Sequence, residues 1–189
     1  MKPYNGFTAE PTRTAEALPA GGYVAKIVKA EEAHYDWGNM LLIYFDIAEG
    51  EHKGHFKTQY DGQQGEDKKW KGVYRQSVPK DDGSDKDEWS KRSFNNAIWA
   101  IEESNTGYHW DWNEASLKGK TVGVLFRNRE WEYNGKTGWT TECCALTDVT
   151  SIREGKFRIP KDKPLANKTE NAFARADVLS DIDDDDCPF

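Results

Sequence analysis

Two segments of the sequence place positively charged side chains beside aromatic rings. The first, KKWKGVYRQSVPK at 68–80, has five lysine or arginine residues, two aromatic residues and no acidic residue. Cations can line up along phosphate groups while flat rings stack under bases, so this composition suits an unpaired nucleic-acid strand. A solvated loop whose Trp70 tucks under its neighbours would have the same composition, and the segment alone leaves both interpretations open. Its candidate binding residues are Lys69, Trp70, Lys71, Tyr74 and Arg75.

The second segment, FRNREWEY at 126–133, has the pattern of a β-strand, in which alternate residues share a face. One predicted face is cationic and aromatic and consists of Arg127, Arg129, Trp131 and Tyr133. The opposite face is apolar and is predicted to be core: Val122, Val124 and Phe126. An arginine over a tryptophan can also be a purely structural cation–π pair. Four residues of the right kinds on one face favour a binding role.

Four further residues complete the predicted binding set. Lys120 precedes this strand, and Lys136 and Trp139 belong to the turn predicted to follow it. Trp37 lies in HYDWGN at 34–39, which is predicted to be the turn of an earlier hairpin.

Motifs for catalysis and metal binding are missing from the sequence. It contains no GxSxG, P-loop, HExxH or dinucleotide-binding glycine motif. Its densest acidic groups, KDDGSDKDE at 80–88 and the C-terminal run, fall in predicted loops that are too mobile to hold a metal or a general acid. The three cysteines form no CxxC pair, and the four histidines lack zinc-binding spacing. We predict no catalytic residue, no metal and no cofactor, and a reducing, cytoplasmic location.

The elements that position the candidate residues are predicted to be mainly strands. YVAKIVKAEEA (23–33), MLLIYFDIAE (40–49) and HFKTQYD (55–61) have the composition of three strands joined by short turns. The second of these strands has one apolar face, formed by Leu41, Ile43, Phe45 and Ile47.

A helix and a second hairpin follow a charged, irregular stretch at 62–90. Apolar residues recur at helical spacing at Phe94, Ala97, Ile98 and Ile101. Ser90 or Ser93 is the predicted N-cap of this helix. Two more strands, TVGVLFRNREWEY (121–133) and WTTECCALTDV (139–149), flank an Asn-Gly turn in NGKTG.

Three strands, a helix and two strands is the element order of a mainly β fold, the five-stranded OB-fold barrel, with its helix between strands 3 and 4. Such barrels bind oligonucleotides on their face and in their loops. A small α+β sheet with a helix on one side would give the same order. We divide the chain into an N-terminal arm (1–20), the barrel domain (21–159) and a flexible linker with an acidic interaction tail (160–189).

The charge of the chain is concentrated in that tail. Residues 171–189 contain six acidic residues and one basic residue, so they account for −5 of the net −7. The segment DDDDCPF resembles the C-terminal tip of bacterial-type single-stranded DNA-binding proteins, although Cys187 stands where that tip usually has an aliphatic residue. The body, from LPAGGYVAKIVKAEE through LLIYFDIAEGEHKGHF to the last hairpin, resembles phage or prophage single-stranded DNA-binding proteins with an OB fold.

This resemblance implies a sequence-independent single-stranded DNA-binding protein that protects unpaired strands in DNA replication, recombination and repair. It also implies that the tip recruits other proteins of these processes, with these partner-binding residues: Asp183, Asp184, Asp185, Asp186, Cys187, Pro188 and Phe189. A phage-encoded protein would act in the host cytoplasm. The alternative is an acidic adaptor or DNA-mimicking protein that occupies a basic partner. We expect no membrane association, and the sequence leaves monomer and homo-oligomer open.

Overall fold

One antiparallel sheet of five strands organises the part of the chain that the structure, a computed structural model, describes, residues 17–165. The strands are β1 (Gly21–Tyr35), β2 (Gly38–Ile47), β3 (Val73–Ser77), β4 (Thr121–Tyr133) and β5 (Lys136–Thr147). Their order in the sheet is β3-β2-β1-β4-β5. The helices are α1 (His55–Asp61), α2 (Asp85–Glu103) and α3 (Val149–Arg153), with a 3₁₀ turn at Glu114–Leu117.

The alternation along β2 and β4 produces the core, as predicted. On the inner side of the sheet, the four apolar residues of β2 and the three of β4 are each at most 4% exposed. The apolar stripe of α2 packs in the same core cluster. Fully burying a side chain such as Ile43 or Phe45 contributes about 1.5–3 kcal/mol. This apolar inner side therefore decides which residues face outward.

The central strand β1 pairs with β2 over 25–35, opposite 38–47, but with β4 only over 21–26, opposite 121–126. Residues 127–133 of β4 therefore lie beyond the end of β1 and pair with β5 as a two-stranded ribbon. We call residues 127–142 the distal hairpin. Its turn is Asn134-Gly135, with φ of 49° and 73°, and this pair of left-handed residues matches the twist of the strands.

The segment after α3 covers the edge that β1 leaves free. The backbone N–H of Lys163 donates to the carbonyl oxygen of Asn128 (2.8 Å), and the N–H of Glu130 donates to the carbonyl oxygen of Lys163 (2.9 Å). The side chain of Glu130 also accepts the N–H of Leu165 (3.0 Å). The last described residues are thus bonded directly to the distal hairpin.

The third predicted strand, 55–61, is wrong: this segment is helix α1. The carboxylate of Asp46 accepts the backbone N–H of Phe56 (2.9 Å) and of Lys57 (3.2 Å), which satisfies two donors in the first turn of the helix. Gly54 precedes the helix with φ of 74°, a left-handed conformation that glycine adopts without strain.

The third strand is instead Val73–Ser77, inside the stretch predicted to be irregular. It pairs with β2, where Ile43 lies opposite Tyr74. The predicted caps of α2, Ser90 and Ser93, are also wrong. The N-cap is Ser84, six residues before Ser90, and its hydroxyl accepts the N–H of Asp87 (3.2 Å).

Within residues 17–165, none of the helices has the length and apolar character needed to cross a lipid bilayer. Residues 1–16 and 166–189 lie outside the described part of the chain, and with them most of the predicted N-terminal arm and the whole acidic tip.

Asp87 ties the segment before α2 to the first turn of that helix. Its buried carboxylate accepts the backbone N–H of Lys80 (2.7 Å) and of Asp81 (3.0 Å) and lies 3.1 Å from the ammonium of Lys91. Burial alone would raise the pKa of Asp87, but the hydrogen bonds from Lys91 and from the two backbone amides outweigh it and lower the pKa below its ordinary value.

We expect Asp87→Asn to destabilise the protein at pH 7 and to do so less at acid pH. A carboxyl group with a lowered folded-state pKa stabilises the fold above its unfolded pKa, about 3.9, and loses this contribution as the pH falls through the folded value. Thermal unfolding of both proteins from pH 7 to pH 3 measures the difference. Asp85→Asn, at an exposed position of the same helical turn, is the control. A difference in Tm that stays constant over this range would contradict the assignment.

Candidate nucleic-acid interface

The outer side of the distal hairpin is built from four directly opposite pairs of residues. Residues directly opposite each other on antiparallel strands project to the same side. The pairs are Arg127–Glu142, Arg129–Thr140, Trp131–Gly138 and Tyr133–Lys136. The structure therefore brings the four predicted residues of β4 together on one side and adds Lys136 to them. We call this side the hairpin face.

Glu142 holds both arginines of the hairpin face. Its Oε1 lies 3.1 Å from Nε of Arg127, and its Oε2 lies 3.2 Å from Nε of Arg129. The side chain of Arg127 is only 17% exposed, whereas that of Arg129 is 48% exposed. Arg129 is thus open to a ligand, while Arg127 positions Glu142 and supplies charge from beneath the surface.

Trp131 rests on the backbone of Gly138. A Cβ atom at position 138 would lie 2.8 Å from Cζ2 of the indole, so the ring occupies the space that a side chain would fill. Trp131 stays 36% exposed, and Tyr133 near the end of the hairpin is 71% exposed. Both rings offer surface to solvent from a defined position.

Trp139 does not share a side with the binding residues of β4 with which it was grouped. It lies in β5, within the predicted strand 139–149, and is opposite Glu130, so it projects from the other side of the hairpin. Trp131 and Trp139 are therefore two exposed tryptophans on opposite sides of one ribbon. The sequence did not reveal this because the two-residue turn sets the register of β5.

The segment 68–80 divides into packing residues and exposed cations. Tyr74 is buried, and its hydroxyl donates to Oε1 of Gln76 (2.7 Å). The indole N–H of Trp70 reaches the carbonyl oxygens of Phe45 (3.0 Å) and Gly72 (3.1 Å), and the ring packs against the core. Because it is buried, Tyr74 cannot stack with a base. Trp70 packs under its neighbours, as in the solvated-loop interpretation of this segment. The cations Lys69, Lys71 and Arg75 are exposed.

A second cationic and aromatic surface covers the outer side of β1, β2 and β3. Tyr35 and Trp37 stack with ring centroids 5.0 Å apart and planes at 10°, and both rings are exposed. Lys80 approaches the same hairpin end, since a Cβ atom at Gly38 would lie 3.1 Å from its Cε. We call this surface the sheet face: Lys29, Tyr35, Trp37, Tyr44, Arg75 and Lys80.

A small polar network stabilises the middle of the sheet face. Tyr44 donates its hydroxyl to Oε1 of Glu31 (2.7 Å), and Lys29 forms an ion pair with Oε2 of the same carboxylate. The hydrogen bonds from Lys29 and then Tyr44 hold the pKa of Glu31 below its ordinary value. Burial and then the bond to Glu31 raise the pKa of Tyr44, while the nearby Arg75 acts in the opposite direction.

Lys120 is not part of either face. It precedes β4, at the end of that strand away from the distal hairpin, and its ammonium lies 4.3 Å from the centroid of the Tyr108 ring. This cation–π contact gives it a structural partner.

Two exposed tryptophans were not predicted as site residues. Trp99 lies on α2 outside the apolar stripe of that helix, which is the signal that could have identified it. Trp112 stacks on Phe94, with centroids 5.7 Å apart and planes at 10°.

Among residues 17–165, no group of three or more histidine, cysteine, aspartate or glutamate side chains is arranged to hold a metal ion. The predicted partner-binding residues, 183–189, lie outside the described residues.

No protein-family model matches the chain, and no curated protein is significantly similar to it in sequence.

Proposed function

We propose that the protein binds single-stranded DNA without sequence specificity and has no enzymatic activity. The observation that carries this proposal is the outer side of the two hairpins, where exposed rings lie next to cations while the inner side is core. Cations neutralise phosphates, and aromatic rings accept any base on their π-faces. In this role the protein would protect unpaired strands during DNA replication, recombination and repair.

We further infer that the sheet closes into an OB-type barrel. The strand order leaves β3 and β5 as the two edges, and their Cα atoms approach within 8 Å. Helix α2 lies between β3 and β4, which is where this fold has its helix. Closure would bring the sheet face and the hairpin face onto the wall of one barrel, in keeping with oligonucleotide binding by the face and loops of that fold.

Each group has a defined role in this proposal. Bases stack on Trp131 and Tyr133 of the hairpin face and on Trp37 of the sheet face, at about 1–3 kcal/mol each. Tyr35 supports Trp37 from behind. The cations that contact phosphates are Arg75, Lys80, Arg129 and Lys136, with Lys69 and Lys71 beside the sheet face.

The acidic tip is proposed to recruit proteins of replication, recombination and repair. Four consecutive aspartates would steer the segment 181–189 toward basic surfaces, and proline would limit the conformational entropy lost when the segment docks. The same charges would compete with DNA for the cations of the two faces. This part of the proposal depends on the composition of 181–189 and on its resemblance to known tips.

Titration of intrinsic tryptophan fluorescence with oligo-dT at several salt concentrations tests the proposal. If about five phosphates are neutralised, the logarithm of the binding constant should fall with the logarithm of salt concentration at a slope near −3.5, from ~0.7 per contact. Duplex DNA of equal length is the comparison. Absence of any oligonucleotide affinity at low salt would contradict DNA binding and favour the acidic adaptor.

Replacing Trp131 and Arg129 together with alanine should weaken oligo-dT binding more than tenfold, because a stacking ring and an accessible phosphate contact are lost. Circular dichroism should show an unchanged fold, since both side chains are largely outside the core. Trp139→Ala is the matched control, because it removes an exposed tryptophan from the other side of the same hairpin. Equal losses in both variants would mean that the hairpin face is not the binding surface.

Removal of residues 181–189 should leave oligo-dT affinity equal or higher, because it removes carboxylates that compete with phosphates. The measurement is the same titration at low salt, where the competition is least screened. Replacing Asp183, Asp184, Asp185 and Asp186 with asparagine separates the effect of charge from that of length. A clear decrease in affinity in either variant would contradict the competition.

A further inference from the structure

A cavity of about 450 Å³ opens between α2, the outer side of β4 and β5, and the segment after α3. We call it the α2 pocket and define it by Asn96, Trp99, Leu125, Ala145, Phe157 and Arg158. Its volume falls within the range of about 300–1,000 Å³ that is typical of small-molecule sites. Neither proposed DNA-binding face includes it.

The sheet forms the floor of the α2 pocket. Leu125 and Ala145 are directly opposite each other and project outward, and the next outward pair along the ribbon is Arg127 and Glu142. Two residues along a strand span about 7 Å. The pocket therefore begins where the hairpin face ends, on the same side of the same two strands.

The wall opposite α2 is held in place by glycine. A Cβ atom at Gly22 would lie 2.7 Å from both the Phe157 ring and Ile152, so only glycine allows this segment to lie against β1. Trp99 forms part of the α2 wall and is 54% exposed. The pocket thus has a fixed aromatic side and an accessible indole.

The rim of the pocket is positively charged. Lys156 and Arg158 line it from the segment after α3, and the ammonium of Lys156 is paired with the carboxylate of Glu154 (2.7 Å). The single acidic lining residue, Asp148, is engaged by its own helix, since it accepts the backbone N–H (2.7 Å) and the hydroxyl (2.6 Å) of Ser151. Asn96 adds an amide that can both donate and accept hydrogen bonds.

We propose that the α2 pocket holds one nucleotide of the strand bound on the hairpin face, an inference that rests on the proposed function. The base lies against Trp99 and Phe157, the phosphate lies at Arg158, and the amide of Asn96 meets polar groups on the base edge. Continuity with the hairpin face and the guanidinium of Arg158 at the rim favour a nucleotide over an apolar peptide, which would leave Arg158 unused. The pocket extends the binding path from the hairpin to the side of α2.

The test is oligo-dT binding by Trp99→Ala and Arg158→Ala. We expect Trp99→Ala to bind about tenfold more weakly with an unchanged salt slope, as for the loss of one stacking ring. Arg158→Ala should make the salt slope shallower by about 0.7, as for the loss of one phosphate contact. Trp112→Ala removes an exposed tryptophan that does not line the pocket, and it should bind like the unmodified protein. Circular dichroism verifies the fold of each variant.

The outcomes separate this inference from the proposed function. If the unmodified protein binds no oligonucleotide, both fail. If it binds and the Trp131 and Arg129 variant is weakened while Trp99→Ala is not, only the pocket assignment fails. Equal losses in Trp99→Ala and Trp112→Ala would also overturn it.

The indole N–H resonance of Trp99, identified with Trp99→Phe, gives a direct readout. Oligo-dT should shift this resonance. If oligo-dT does not shift it and removal of residues 166–189 does, the pocket holds the chain's own C-terminal segment, and the proposal is overturned.

Discussion

The pairing of β4 with β5 continues past the point where β1 ends, and the candidate hairpin face depends on this difference in length. Because β1 covers only 121–126, the rest of β4 is free of the core and can project both of its sides. Because successive side chains of a strand point to opposite sides, the residues of the ribbon are divided between its two sides. One side of the ribbon carries Arg129, Trp131 and Tyr133, and the other carries Glu130 and Trp139. The segment after α3, instead of β1, bonds to the edge of this ribbon and leaves both of its sides open.

Each candidate face contains one carboxylate that bonds to its neighbouring side chains. One carboxylate, Glu142, lies between two guanidinium groups, so the three groups together have a net charge of +1. On the sheet face, Glu31 joins one cation, Lys29, to the hydroxyl of Tyr44. Each carboxylate orients its neighbours, and Glu142 also lowers the repulsion between its two arginines. Such preorganisation reduces the entropy lost when a ligand binds.

The sequence predicted β4 to the residue because two independent signals agreed, the alternation and the Asn-Gly turn. It failed for 55–61, because the decisive contact is the carboxylate of Asp46, which caps the helix from about ten residues away in the chain. It missed β3 because the residue types of Val73–Ser77 do not by themselves indicate a strand. The segment becomes a strand through its pairing with β2. The outward positions of Arg129 and Trp131 were predictable from the sequence, because alternate side chains of a strand lie on the same side.

Other parts of the candidate site required tertiary information. The burial of Tyr74 follows from the pairing of β3 with β2, which are distant in the chain. The α2 pocket has no local pattern at all, since α2, β4, β5 and the segment after α3 contribute to it from distant parts of the chain.

The bonding of Lys163 to β4 has a consequence for whatever residues 166–189 bind. The chain leaves the described fold at Leu165, whose N–H is bonded to Glu130 of the distal hairpin. Under the proposed function, a protein recruited by the acidic tip would be joined to the domain through Leu165, next to the distal hairpin. Tethering of this kind gives a second molecule a high effective concentration near the attachment point. The attachment point would then determine which part of a bound strand the recruited protein meets first.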